Sequence, residues 1–235
     1  MINLADEAMT IKLDYDLPEY PKFEEGYRRA PRRESHLTEA DKALAIKNAL
    51  RYIHPDHHEQ MAKEFAAELE EHGRIYGYRF RPEGKLYGNT EYVATLISRK
   101  TGGDLFQIKT ATPYPGTHKA LIDAAKKEQE AKARPKLTTH IKNLDDYTTI
   151  FIGFPNWWYD MPMPLYSFFD EYDFTGKTLI PFCTHGGSRF SQTEKTIATL
   201  EKGATMVKGL SISRNSVDRS EETINKWLQR LGFNN

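Results

Sequence analysis

Thr149-Ile150-Phe151-Ile152-Gly153-Phe154, followed at once by Pro155-Asn156-Trp157-Trp158-Tyr159-Asp160-Met161-Pro162, is the stretch on which the fold reading turns. The first six residues form an unbroken apolar run, the mark of a strand buried on both faces. Such a strand belongs to a parallel sheet with helices above and below it. The next eight residues form a Pro-bounded loop carrying two tryptophans and a tyrosine. These rings either fold under the loop as core or cover something flat, and stacking on a planar ring adds about 0.5–1.5 kcal/mol beyond the buried area.

Outward from this stretch the pattern alternates between strand and helix. Toward the C-terminus, Leu165 to Tyr172 reads as a short helix and Thr178 to Cys183 as a second buried strand, with Pro181 placed near its end. Glu194 to Leu200 is helical, Thr205 to Ile212 a strand, and Asp218 to Leu231 a terminal amphipathic helix with Ile224, Trp227 and Leu231 on one side. Toward the N-terminus, His118 to about Ala133 and Thr90 to Lys100 are helical, and Leu105 to Ile108 is a strand. The expectation is an α/β fold from residue 88 to 235.

In an open α/β sheet, ligands bind beyond the carboxyl ends of the strands. Loops at such ends carry the candidate site. Gly88-Asn89-Thr90 opens a helix, where free N–H groups favour an anion such as phosphate; the plainer reading is a turn and cap. Pro155, Asn156, Trp157 and Trp158 form the second loop. Thr184-His185-Gly186-Gly187-Ser188 form the third, in which paired glycines either make an ordinary turn or let backbone N–H groups approach a ligand. The edge of a flavin ring is a group that such donors suit.

Lys plus Arg and Asp plus Glu are equal at 33 each, so no net field favours nucleic acid or an anionic membrane. No apolar run is long enough to span a bilayer, and the N-terminus lacks the basic start and apolar stretch of a secretion signal. The single cysteine, Cys183, excludes an internal disulfide and fits a cytoplasmic location. Cys183 reads as a packing residue, and His54, His57 and His58 as a solvated helix start in place of a metal cluster.

Residues 1–87 differ in character. The first 35 are charged, with Pro18, Pro21 and Pro31, and read as an extended arm. Helices follow from Thr38 and from Pro55, the second with Met61, Phe65 and Leu69 recurring, then the strand-like run Arg74 to Phe80, ended by Pro82 and Gly84.

Several stretches carry a resemblance. Gly88-Asn89-Thr90-Glu91-Tyr92-Val93-Ala94, Pro113-Tyr114-Pro115, Lys126-Lys127-Glu128-Gln129, Pro155-Asn156-Trp157-Trp158, Met161-Pro162-Met163-Pro164, and the run from Asp173 through Ser188 resemble the flavodoxin-like FMN proteins of bacteria. The resemblance implies a parallel sheet in the order 2-1-3-4-5 with helices on both faces. It implies FMN as cofactor, electron or hydride transfer through the flavin, and a redox protein or small-molecule electron acceptor as partner. It would put the phosphate on Gly88, Asn89 and Thr90, with Lys85 offering a charge where hydroxyl donors belong. The Trp157-Trp158 loop would cover one side of the ring, and Thr184 to Ser188 would bind its polar edge. No side chain is expected to act as acid or base.

Pro21 to Pro31, Lys47 to Tyr52 and Gly73 to Gly84 resemble instead the N-terminal portion of urocanate hydratase. The dinucleotide-binding domain that enzyme needs has no counterpart here, so its activity is not carried over. The domain expectation is therefore a mostly helical segment, 1–87, and a flavodoxin-like domain, 88–235. Arg74 to Phe80 is the candidate for the first, interior strand. If no strand fills that place, open edges favour association, so a homodimer joins the expected partners. The competing reading is a fused, remodelled chain that keeps the scaffold without binding FMN.

Overall fold

The computed structural model describes residues 8–13, 39–50, 58–59, 62–63, 65–67, 78–80, 86–115 and 118–233; within 8–13 the one side chain described is Met9. The chain divides into two compact units, one of residues 1–15, 88–113 and 125–235, the other of residues 16–87 and 114–124. In the second unit, a helix Glu39–Leu50 (α1) carries an exposed Lys42–Glu39 pair at 2.9 Å, and Phe65 is buried within a further helical stretch. The expected arm residues Pro18 to Arg33, the helix positions Met61 and Leu69, and His54 and His57 lie outside the described residues.

The first unit is built on a parallel sheet. Ala8–Leu13 (β1) lies between Asp104–Ile108 (β4) and Thr149–Pro155 (β5), and β5 pairs in turn with Thr178–His185 (β6). Thr205–Met206 (β7) and Leu210–Ser213 (β8) both pair with β6 and together make the outer strand. Counted by position, this is the order 2-1-3-4-5.

The first strand corrects the sequence reading. Its place belongs to Ala8–Leu13, with Met9 facing Ile150 and Ile11 facing Ile152 in register. Tyr78–Phe80 (β2) pairs with Leu86–Gly88 (β3) in a separate two-stranded sheet. Part of the expected extended arm is thus an interior strand. The reason is that β4 and β5 both present unpaired backbone groups to the gap between them, and burying those without partners is costly. A six-residue stretch of modest apolarity satisfies both at once.

Side chains alternate across the sheet into two cores. Ile150, Ile152 and Phe154 pack with Leu179, Leu165, Phe168 and Ile197, the last three from Met163–Glu171 (α4) and Thr193–Leu200 (α5). On the other face, Phe151 packs with Ile180, Phe182, Val93, Ile97, Ile224 and Trp227, supplied in part by Asn89–Thr101 (α2) and Glu221–Arg230 (α6). Helix α2 stops at Gly102, whose φ of 73° is the left-handed turn that lets its N–H cap Ser98. The remaining helix, His118–Glu130 (α3), runs through residues of both units.

Pro181 is not near the end of its strand but in its interior, and the outer strand gives way instead. The carbonyls of Lys177 and Leu179 accept from Thr205 and Val207, so Pro181 is next in that alternation and has no N–H to offer. There the outer strand breaks into β7 and β8, with Val207 to Gly209 between them. The Gly209 N–H bonds Glu194 at 2.9 Å, and a Cβ on Gly209 would meet the Pro181 carbonyl at 2.2 Å.

Candidate functional site

The N-terminus of α2, the loop after β5 and the loop after β6 are joined by direct hydrogen bonds. Gly88 has extended geometry, φ −62° and ψ 156°, and its N–H donates to the Glu91 carboxylate at 3.4 Å. Thr90, buried one residue into the helix, shares a hydrogen bond of 2.8 Å with the hydroxyl of Thr184 at the end of β6. The structure therefore unites two predicted residues that stand far apart in sequence.

The second loop is fastened to the third in the same way. The Asn156 N–H donates to the Thr184 carbonyl at 2.8 Å, and its side-chain Nδ2 donates to the Arg189 carbonyl at 2.8 Å and to Ser191 Oγ at 3.4 Å. Trp157 and Asp160 exchange both backbone hydrogen bonds, each 2.9 Å, which closes a two-residue turn over Trp158 and Tyr159. Both central residues have positive φ, 50° and 65°, the signature of a type I′ turn. Asn-Gly is the inexpensive choice there; a bulky residue held left-handed costs on the order of 1–2 kcal/mol. The turn nevertheless displays Trp158 at 42% exposure and Tyr159 at 73%.

Two sets of side chains brace this turn. The Asp160 carboxylate accepts from the Met161 N–H at 2.8 Å and from the Tyr166 hydroxyl at 3.0 Å, and the Arg134 guanidinium lies over the Tyr166 ring at 5.0 Å. Burial and the Asp160 charge hold the Tyr166 phenol well above its usual range. From α3, Gln129 Nε2 donates to the Trp158 carbonyl at 3.1 Å, and Lys126 Nζ sits over the Trp158 ring at 5.2 Å.

In the third loop, His185 is buried, and desolvation, with the Arg189 charge behind it, lowers its pKa, so the ring is neutral at pH 7. Its carbonyl accepts from the Arg214 N–H at 2.8 Å. Gly186 and Gly187 are exposed, and neither has positive φ. A Cβ on Gly186 would meet nothing nearer than the Arg214 guanidinium at 3.7 Å, and one on Gly187 would meet nothing within 4 Å. Elsewhere the glycines have internal reasons: a Cβ on Gly153 would clash with the Phe182 ring and one on Gly209 with the Pro181 carbonyl, and Gly102 and Gly176 have positive φ. The diglycine has neither reason. Cys183 is buried, and desolvation pushes its thiol far up, which suits packing and not nucleophilic work.

Three buried polar atoms here have no partner: Asn89 Oδ1 at the start of α2, Asn156 Oδ1 after β5 and His185 Nδ1 at the end of β6. Of the predicted residues, Lys85 lies outside the described residues, and Pro155 closes β5 as backbone support. Arg189, Arg214, Asp160, Tyr166 and Gln129 were not singled out as site residues. Asp160 falls in the Pro-bounded loop Pro155 to Pro162 and Gln129 in the resembling stretch Lys126 to Gln129; the other three had no signal. Among the described residues no cluster of three metal-ligating side chains occurs, and no helix is long and apolar enough to cross a membrane.

Comparison with known proteins agrees with this fold. A protein of Bacteroides uniformis ATCC 8492 described as a "putative flavoprotein" superposes with a TM-score of 0.53 at 33% identity, over 60% of this chain and 90% of its own. A second, from Bacteroides eggerthii DSM 20697 and described the same way, gives 0.52 at 25% identity over 63% and 93%. Human urocanate hydratase is 48% identical over 67 residues, 28% of this chain, in its N-terminal part. The chain spans about a tenth of the length of the curated relatives it matches there. A family model described as Flavodoxin matches residues 85–231, more than half the chain. With the sheet order, the joined loops and that match together, the chain belongs to the flavodoxin family.

Proposed function

We propose that the sheet-bearing unit binds FMN and passes electrons or hydride through it. The observation that carries this reading is the set of three unpartnered buried atoms, Asn89 Oδ1 at the N-terminus of α2, Asn156 Oδ1 in the loop after β5 and His185 Nδ1 at the end of β6. A buried polar atom left without a partner costs about 1–3 kcal/mol. Similar atoms on Thr149, Ser167, Asn225 and Trp227 are scattered over β5, α4 and α6; these three gather where loops meet. The open space above Gly187, and the strained turn that displays an indole, point to the same occupant: a flat, polar-edged ring.

In this reading Gly88, Asn89 and Thr90 hold the phosphate, the Trp157-Trp158 loop covers one side of the ring, and Thr184 to Ser188 meet its polar edge. Bound FMN would supply one- or two-electron redox chemistry, while the chain binds, orients and excludes water. The partner is a redox protein or a small-molecule electron acceptor, and the compartment is the reducing cytoplasm. A second reading, a scaffold that has lost FMN, draws on one observation: residues 14–88 separate the end of β1 from the helix whose N-terminus would hold the phosphate.

Titration of FMN with the purified chain decides between them. The flavin reading expects saturable quenching of flavin fluorescence at one FMN per chain, weakened by about 1–3 kcal/mol in Asn156→Ala. Flavin fluorescence unaffected by excess protein would leave the scaffold reading standing.

A further inference from the structure

The stretch Lys126 to Gln129, part of the family resemblance, braces the Trp158 turn from α3 through more than one contact. Its geometry shows a two-step relay. Lys126 Nζ donates to Gln129 Oε1 at 3.2 Å, and Gln129 Nε2 donates to the Trp158 carbonyl at 3.1 Å. An ammonium can only donate and a carbonyl can only accept, so the two contacts fix which end of the amide faces which partner. The same Lys126 lies over the Trp158 ring at 5.2 Å and is steered along the helix by Glu130 at 3.8 Å. One side-chain pair on α3 therefore grips both the backbone and the ring of the same residue.

That residue needs holding. Trp158 and the following Tyr159 are left-handed without being glycine, and both are more than two-fifths exposed, so burial does little to keep them in place. The backbone bonds between Trp157 and Asp160 close the turn, but they leave the Trp158 carbonyl at its tip, and there Gln129 takes it. We infer that Gln129, oriented by Lys126, is a positioning residue that holds the Trp157–Asp160 turn in the conformation presenting the indole to a planar ligand. The ligand half of this statement rests on the flavin reading above.

The test uses the full chain and three variants. Gln129→Glu keeps the size of the side chain and removes the donor; Gln129→Lys keeps a donor; Lys126→Met keeps the stem and removes the charge. In the free protein, amide exchange read by NMR should rise about five-fold at Trp157 and Asp160 in Gln129→Glu, the worth of one typical hydrogen bond. Exchange across Thr149–Pro155 should not move, which separates a loosened turn from a loosened fold. Gln129→Lys should return the turn amides toward wild type, and Lys126→Met should fall between. FMN affinity should follow the same ranking, falling about five-fold in Gln129→Glu. Turn exchange unchanged in Gln129→Glu, or raised equally across β5, would overturn the positioning role. If the wild-type chain takes up no FMN, the flavin reading fails, and the exchange comparison still decides whether Gln129 holds the turn.

Discussion

Strands β1 and β5 lie side by side in one sheet, and the chain makes them in opposite ways. In β5 six of seven residues are buried, its sequence is an unbroken apolar run, and its loop follows directly with the tryptophans. In β1 the run is Ala-Met-Thr-Ile-Lys-Leu, and residues 14–88 intervene before the helix that should follow it closely. The loops after β5 and β6 are fastened to each other by Asn156, while the N-terminus of α2 reaches them through the Thr90–Thr184 bond. An interior strand is thus defined by the gap it fills, and a loop's role by what its side chains reach, more than by adjacency along the chain.

The sharpest way to break this comparison is to truncate one core side chain in each strand. Phe151→Ala removes a ring packed at 5.8 Å from Trp227 and 5.4 Å from Phe233, and should cost about 3–5 kcal/mol in denaturant unfolding. Met9→Ala, at a residue 3% exposed, should cost about 2–5 kcal/mol in the same assay. A negligible effect at Met9 beside a large one at Phe151 would remove β1 from the sheet. Gly153→Ala tests the β5–β6 contact: its Cβ would meet the Phe182 ring at 2.1 Å, so overpacking should cost about 1–3 kcal/mol.

These effects also show what the sequence could and could not reveal. Val93, Ile97, Ile150, Phe151, Ile180 and Trp227 sit where periodicity placed them, because burial on a helix stripe or on both strand faces leaves a direct apolar trace. The strand Ala8–Leu13 left little trace: its polar Thr10 and Lys12 read as part of a charged arm, and only its neighbours' need for partners identifies it. Pro181 misled for a related reason. A proline mid-strand is normally excluded, and the compensating break at Val207 to Gly209 lies far off in sequence. At the site, the loops themselves were legible from Trp, Gly and helix-start signals. The braces were not. Asp160, Tyr166 and Gln129 act through a positive-φ turn at Trp158-Tyr159, and neither residue type announces that conformation.

The smaller effects concern the site. Trp158→Ala should weaken FMN binding by about 0.5–1.5 kcal/mol in the fluorescence titration, the worth of ring stacking; unchanged affinity would take that ring out of the site. Smaller still is a pH effect at His185. Burial lowers its folded pKa below the ordinary 6.5, so below that pH the unfolded chain binds a proton the folded chain resists. Its stability contribution is therefore full above about pH 6.5 and declines as pH falls through the interval beneath it. Tm measured across that interval should fall less in His185→Gln than in wild type.

Completion of the sheet by Ala8–Leu13 is what seats the loops at one end of it, and amide hydrogen exchange measures that completion directly. Protection at Met9 to Lys12 within the same order as at Ile150 to Gly153 is the predicted result, since each set is bonded to neighbours on both sides. Exchange at residues 9–12 as fast as in an unfolded chain, with β5 still protected, would contradict it and leave the proposed FMN site without its central strand.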